Sequence, residues 1–108
     1  MFGVKSVIYE NNNEFLIIDI GDECKVSYKN ISRVIDNKIV YKYLESLLII
    51  VSNWRSEYIN IGIIDGEIWK LTLNLIDGSK KEYNGRSDFP INFESFEFLN
   101  REIIKEVL

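Results

Sequence analysis

The chain has no histidine, no alanine and no glutamine, and it has one cysteine, Cys24, and one proline, Pro90. Each absence excludes something. Without His there is no side chain whose ordinary pKa lies near neutrality, so the commonest general base and the commonest metal ligand are both missing. A lone cysteine cannot close an internal disulfide, which leaves stability to the core and suits a reducing compartment. No apolar run reaches the roughly 18–20 residues that span a bilayer, and the stretch from Met1 to Ser6 lacks a charged segment followed by an apolar one. The expectation is therefore a cytoplasmic protein, neither exported nor membrane-embedded. No G-x-G-x-x-G, P-loop or C-x-x-C occurs, and Gly85-Arg86-Ser87 is too short to cradle phosphate, so no cofactor is expected. The skewed usage, rich in Ile and Asn, also fits the codon bias of an AT-rich genome, which lowers the weight of the missing His.

What is present describes an ordinary folded domain. The 108 residues are 46% hydrophobic and 28% charged, far from the signature of disorder, and the length suits one core, so residues 1–108 read as a single domain. Thirteen basic against seventeen acidic residues give a net charge of −4. Direct binding to nucleic acid is disfavoured by that sign, since such affinity comes largely from Lys and Arg on phosphates. A basic protein partner would be attracted instead.

Residues 4–9 and 15–20 are apolar, β-branched runs separated by Glu10-Asn11-Asn12-Asn13-Glu14, the pattern of a β-hairpin. Beyond Gly21-Asp22-Glu23, the alternation of Cys24, Val26 and Tyr28 with Lys25, Ser27 and Lys29 adds a third, half-buried strand. Residues 30–35 fit either a helical turn or a short strand and are left unassigned. Val40, Leu44, Leu47, Val51, Trp54 and Tyr58 recur at steps of four and three and predict a helix, with Asp36 or Asn37 as its cap. Leu48, Ile49 and Ile50 widen its apolar surface, so it is expected to be covered on more than one side.

Strand patterning returns with Ile59, Ile61 and Ile63 before Asp65-Gly66, and with Trp69, Leu71, Leu73 and Leu75 before Asp77-Gly78. Asp-Gly between apolar runs marks a hairpin, because Gly accepts the positive φ of a tight turn. Pro90 ends the extended path and Asn92 offers a cap. Phe93, Phe96, Leu99, Ile103 and Val107 then mark a closing helix. The fold class is α+β: an antiparallel sheet of about five or six strands, in the order β-β-β-α-β-β-β-α, with both helices on one face.

The string Trp54, Tyr58, Asp65-Gly66, Trp69, Asp77-Gly78, Tyr83, Gly85, Phe89-Pro90, Asn92-Phe93 and Phe96 resembles a group of small uncharacterised proteins of Firmicutes and related bacteria. The likeness covers roughly the last sixty residues. In that group an Asn stands where Ser87 or Asp88 stands here. No activity comes with the resemblance; what it implies is a bacterial setting, in some members beside toxin–immunity or mobile elements. The residues themselves suggest architecture: Trp69 and Tyr83 as a cross-strand aromatic pair, with Trp54, Phe93 and Phe96 packing the helices over them.

Carboxylates are the only plentiful titratable groups. Asp65, Glu67, Asp77 and Asp88, with Lys81, would be the parts of a divalent-metal enzyme if they converged. Asp65 and Asp77 have turn roles already, however, and Asp88 can cap the turn before Phe89-Pro90. Cys24 has no base beside it and reads as a buried small apolar residue. Arg86 is placed in a loop where it could grip a carboxylate or phosphate. The closing helix shows Glu94, Glu97, Glu102 and Glu106 with Arg101 and Lys105. The preferred reading has neither catalytic nor metal-binding residues. It is a binding protein of the inhibitor or immunity type, acting on a bacterial or phage effector, a basic protein that handles nucleic acid. The contact residues would be Asp22, Glu23, Arg86, Asp88, Glu94 and Glu97. A homodimer or assembly subunit, and a divalent-metal carboxylate enzyme, are the alternatives.

Overall fold

The computed structural model describes residues 3–62 and 66–108. Four strands come first, β1 (Val4–Asn11), β2 (Glu14–Ile20), β3 (Cys24–Tyr28) and β4 (Ile31–Ile35), followed by α1 (Asn37–Val51). Then come β5 (Glu57–Ile59), β6 (Ile68–Leu75), β7 (Lys80–Arg86) and α2 (Phe93–Val107). The strands form one sheet in the order β4-β3-β2-β1-β6-β7-β5. Every neighbouring pair is antiparallel except β5 with β7. The α+β class and both helices are as the sequence indicates. No helix among the described residues is long and apolar enough to cross a membrane.

The turns follow from residues that tolerate left-handed backbone. Asn12 and Asn13 have φ of 48° and 70°, and Lys29 and Asn30 have 48° and 67°, so each two-residue loop twists the way its hairpin needs. Gly78 (φ 91°) does the same between β6 and β7, where Asp77 accepts hydrogen bonds from the Ser79 amide and hydroxyl. One face of the sheet, carrying Val7, Tyr9, Leu16, Ile18, Val26, Trp69, Leu71 and Leu73, is buried beneath both helices. Val40, Leu44 and Leu47 of α1 and Phe96, Ile103 and Val107 of α2 complete that core. Cys24 belongs to it, and burial pushes its thiol pKa up, which leaves it inert.

Four features differ from the sequence reading. The unassigned stretch contains β4, whose Ile31, Val34 and Ile35 suit helix and strand spacing alike; the sheet has seven strands among the described residues. Helix α1 stops at Val51: Ser52 turns its hydroxyl back onto the Ile49 carbonyl, and Trp54 and Tyr58 lie beyond the end. Asp36 is the cap, accepting from the Lys38 amide at 2.8 Å. The helix packs on the sheet and against α2, but Leu48, Ile49 and Ile50 do not widen its covered surface as expected: Ile49 is 70% exposed, and Leu48 and Ile50 pack only partly against the core. Finally, β5 joins the sheet outside β7 and parallel to it, whereas the sequence suggests a hairpin with β6. The Asp65 of that supposed hairpin turn, like Ile63, lies outside the described residues.

Candidate functional site

The recognised string of aromatic and glycine residues is almost wholly structural. The Trp54 ring lies 5.6 Å from Trp69, 5.7 Å from Tyr83, 6.0 Å from Phe93 and 5.3 Å from Phe96, mostly edge to face. Trp69 does not pair with Tyr83 as expected. Strand register sets Trp69 opposite Gly85 and Tyr83 opposite Leu71, and Trp54 reaches both rings from the helix side. Gly85 is required there, because a Cβ would stand 2.3 Å from Trp69 Nε1 and 2.6 Å from the Asp88 carbonyl oxygen. Nor does the Asn92 side chain cap α2. Its Oδ1 accepts from Trp54 Nε1 at 2.6 Å and its Nδ2 donates to the Ile50 carbonyl, tying the end of α1 to the start of α2.

These anchors define one end of the sheet, and carboxylates converge on it. Glu67 precedes β6. Its carbonyl accepts from the Ser87 amide, and its carboxylate accepts from Asn11 Nδ2 at 2.6 Å. The first turns of α2 bring Glu94 and Glu97 to the same place. All three line a groove of about 320 Å³ with Phe89, Pro90, Ile91 and Phe93. Phe89 is exposed and Ile91 fully so. Among the described residues, none of the three carboxylates has an ion-pair partner. Partial burial, with Glu67 and Glu94 nearby, raises the pKa of Glu97 above the usual carboxylate range, against the lowering effect of Arg101.

That raised pKa has a measurable consequence. A carboxyl whose folded pKa exceeds its unfolded one destabilises the fold above the folded value, and the penalty vanishes as pH falls to the unfolded value. Glu97→Gln is therefore expected to raise the thermal midpoint at neutral pH by about 2–4 °C, the scale of a surface change of ~0.5 kcal/mol in a chain of this size. Melting curves from neutral pH downward should show the gain shrinking to nothing below the ordinary carboxylate range.

Of the residues singled out in the sequence, Glu94 and Glu97 share this groove. Asp88 stands at its edge in the chain, its carboxylate accepting from the Phe89 amide and its carbonyl from Trp69 Nε1. Arg86 is not in a loop; it ends β7 and lies on the opposite, open face beside Glu10, Ile59 and Lys70. Asp22 and Glu23 occupy the β2–β3 turn, at the other end of β2 from Glu14, where the Asp22 carbonyl accepts from Asn37. The six residues thus do not form one surface. Sequence reasoning missed Glu67 as a neighbour of Glu97, because thirty positions separate them and only the β1–β6 pairing brings Glu67 to Asn11.

Asp77 and Asp88 stand beyond opposite ends of β7, about 20 Å apart at ~3.3 Å per strand residue, so they cannot share an ion. Asp65 lies outside the described residues, and no group of three or more His, Cys, Asp or Glu suited to a metal occurs among the described residues. Asn100 is buried, with Oδ1 accepting from Tyr43 at 2.7 Å and Nδ2 without a partner among the described residues. Desolvation raises the Tyr43 pKa, so its hydroxyl stays protonated and can donate.

The fold and site together define an α+β protein with an acidic, apolar-rimmed groove at the start of its closing helix. No family model, no curated protein and no solved structure matches the chain.

Proposed function

We propose that this chain is a non-enzymatic binding protein of the inhibitor or immunity type, which blocks a bacterial or phage effector by presenting it with an acidic surface. The observation that carries this reading is the groove itself. Glu67, Glu94 and Glu97 lack cationic partners among the described residues and sit beside exposed Phe89 and Ile91. Like charges held close, one of them with a raised pKa, are relieved by an incoming cation, and exposed apolar side chains serve as anchors within a charged rim. A basic cleft that handles nucleic acid offers both counterparts. Net charge adds long-range attraction to the same partner.

The partner would be recovered from the native host on immobilised protein and its affinity then followed in a salt titration. Binding is expected to weaken steadily as salt rises, since exposed charges are screened within about 8 Å at physiological ionic strength. Recovery of no basic partner, or affinity indifferent to salt, would rule the reading out.

A further inference from the structure

The two free edges of the sheet are unequal. Edge strand β5 has three residues, whereas β4 has five, Ile31–Ile35, of which all but Ile35 are exposed, Val34 at 61%. The turn before β4 decides which of its backbone groups face outward. A two-residue loop with both residues left-handed, such as Lys29-Asn30, closes on a hydrogen-bonded pair, here Tyr28 with Ile31. Alternation along the ladder makes Val26–Arg33 and Cys24–Ile35 the other hydrogen-bonded pairs. Ser27–Ser32 and Lys25–Val34 are left as the non-bonded ones, where side chains stand closer. The 2.7 Å contact between the Ser27 and Ser32 hydroxyls fits this register. The N–H and C=O of Ser32 and of Val34 therefore point away from the sheet, and they have no backbone partner outside it among the described residues.

Free edges are usually blunted by proline, a bulge or covering chain. β4 has no proline and no break in its register with β3. Among the described residues, charge is its one guard. Arg33 lies between the two outward-facing residues on the helix side, its Nε donating to the Val107 carbonyl. Lys25 stands beside Val34 on the open side. Neither cation has an ion-pair partner among the described residues. A second copy could engage all four outward groups only by pairing Ser32 with Val34 in both directions, which sets Arg33 against Arg33. Like charges directly opposite are destabilising.

We propose that β4 is a docking edge for an extended, acidic segment of another protein, which adds antiparallel to the sheet through the backbone of Ser32 and Val34 and places a carboxylate opposite Arg33. Main-chain hydrogen bonds supply affinity in this mode of recognition and alternate side chains supply choice. The edge lies across the sheet from β7 and is independent of the acidic groove, so either reading can fail alone.

The test uses the full chain and a short synthetic peptide of alternating valine and threonine with a central glutamate, compared with its central-lysine counterpart. Amide exchange at Ser32 and Val34 is expected to be fast in the free protein and to slow at least about tenfold when the glutamate peptide is added. The glutamate peptide is expected to bind about threefold or more tightly than the lysine one, in line with opposite-charge cross-strand pairs. Val34→Pro removes an outward N–H and no bond to β3, so it should abolish the effect with the fold intact. Should that variant unfold, a glutamate peptide N-methylated on its facing edge makes the same test on unaltered protein and should fail to protect. Protection already present in the dilute protein, equal protection by the lysine peptide, or protection confined to other strands would overturn the proposal.

Discussion

Replacing Trp69 with alanine is expected to lower the unfolding free energy by about 3–5 kcal/mol, the usual cost of removing a large buried aromatic. Urea denaturation followed by circular dichroism would measure it. Small domains hold only about 5–15 kcal/mol in total, so the variant should be marginal at room temperature. The size of the effect follows from the position of the ring. Trp69 is fully buried, lies within 4.9 Å of Phe93 and 5.6 Å of Trp54, and donates to the Asp88 carbonyl. Its loss empties the space between β6, the start of α2 and the turn after β7. Gly85→Ala gives an internal check, because the new Cβ meets Trp69 Nε1 and the Asp88 carbonyl. Part of its cost should disappear in a chain already carrying Trp69→Ala, since only the second of those contacts remains. Strict additivity of the two substitutions would mean that Gly85 is needed for some other reason.

The second large effect concerns binding. Reversing two charges together, Glu94→Lys with Glu97→Lys, is expected to reduce association with the proposed basic partner roughly a hundredfold at low salt, with most of the loss in the association rate. Surface plasmon resonance at several salt concentrations separates the rates. The matching reversal at the β2–β3 turn, Asp22→Lys with Glu23→Lys, changes net charge equally but sits at the far end of β2. It should slow association only modestly. Equal losses from the two pairs would show that net charge alone attracts the partner and that the groove has no special part.

Much of this fold is legible locally. Alternation in residues 4–9, 15–20 and 24–28 and the Asn-rich and Asp-Gly turns lead directly to the meander and to the β6–β7 hairpin. The unread parts are those in which one residue pattern serves two structures. Ile31, Val34 and Ile35 satisfy helical and extended spacing equally, and only pairing with β3 decides. The three-four rhythm of α1 runs on through Trp54 and Tyr58 although the helix has ended, because both side chains return to the core from loop and strand. The parallel seat of β5 beside β7 depends on contacts across nearly thirty residues, which no local signal carries. The candidate site divides in the same way. Glu94 and Glu97 share a helix face and are visible together, while Glu67 joins them only once β6 pairs with β7 and the turn into α2 closes against it.

Cys24 gives this domain a built-in clock. As the chain's one thiol, wholly enclosed in the core and opposite Ile35 of the edge strand, it can meet a thiol reagent only when the packing around β3 and β4 opens. The rate of labelling in the native protein then reports how often that flank of the sheet opens, without any added probe. Slower labelling when a segment docks on β4 would register its arrival from inside the core, one strand away from where it binds.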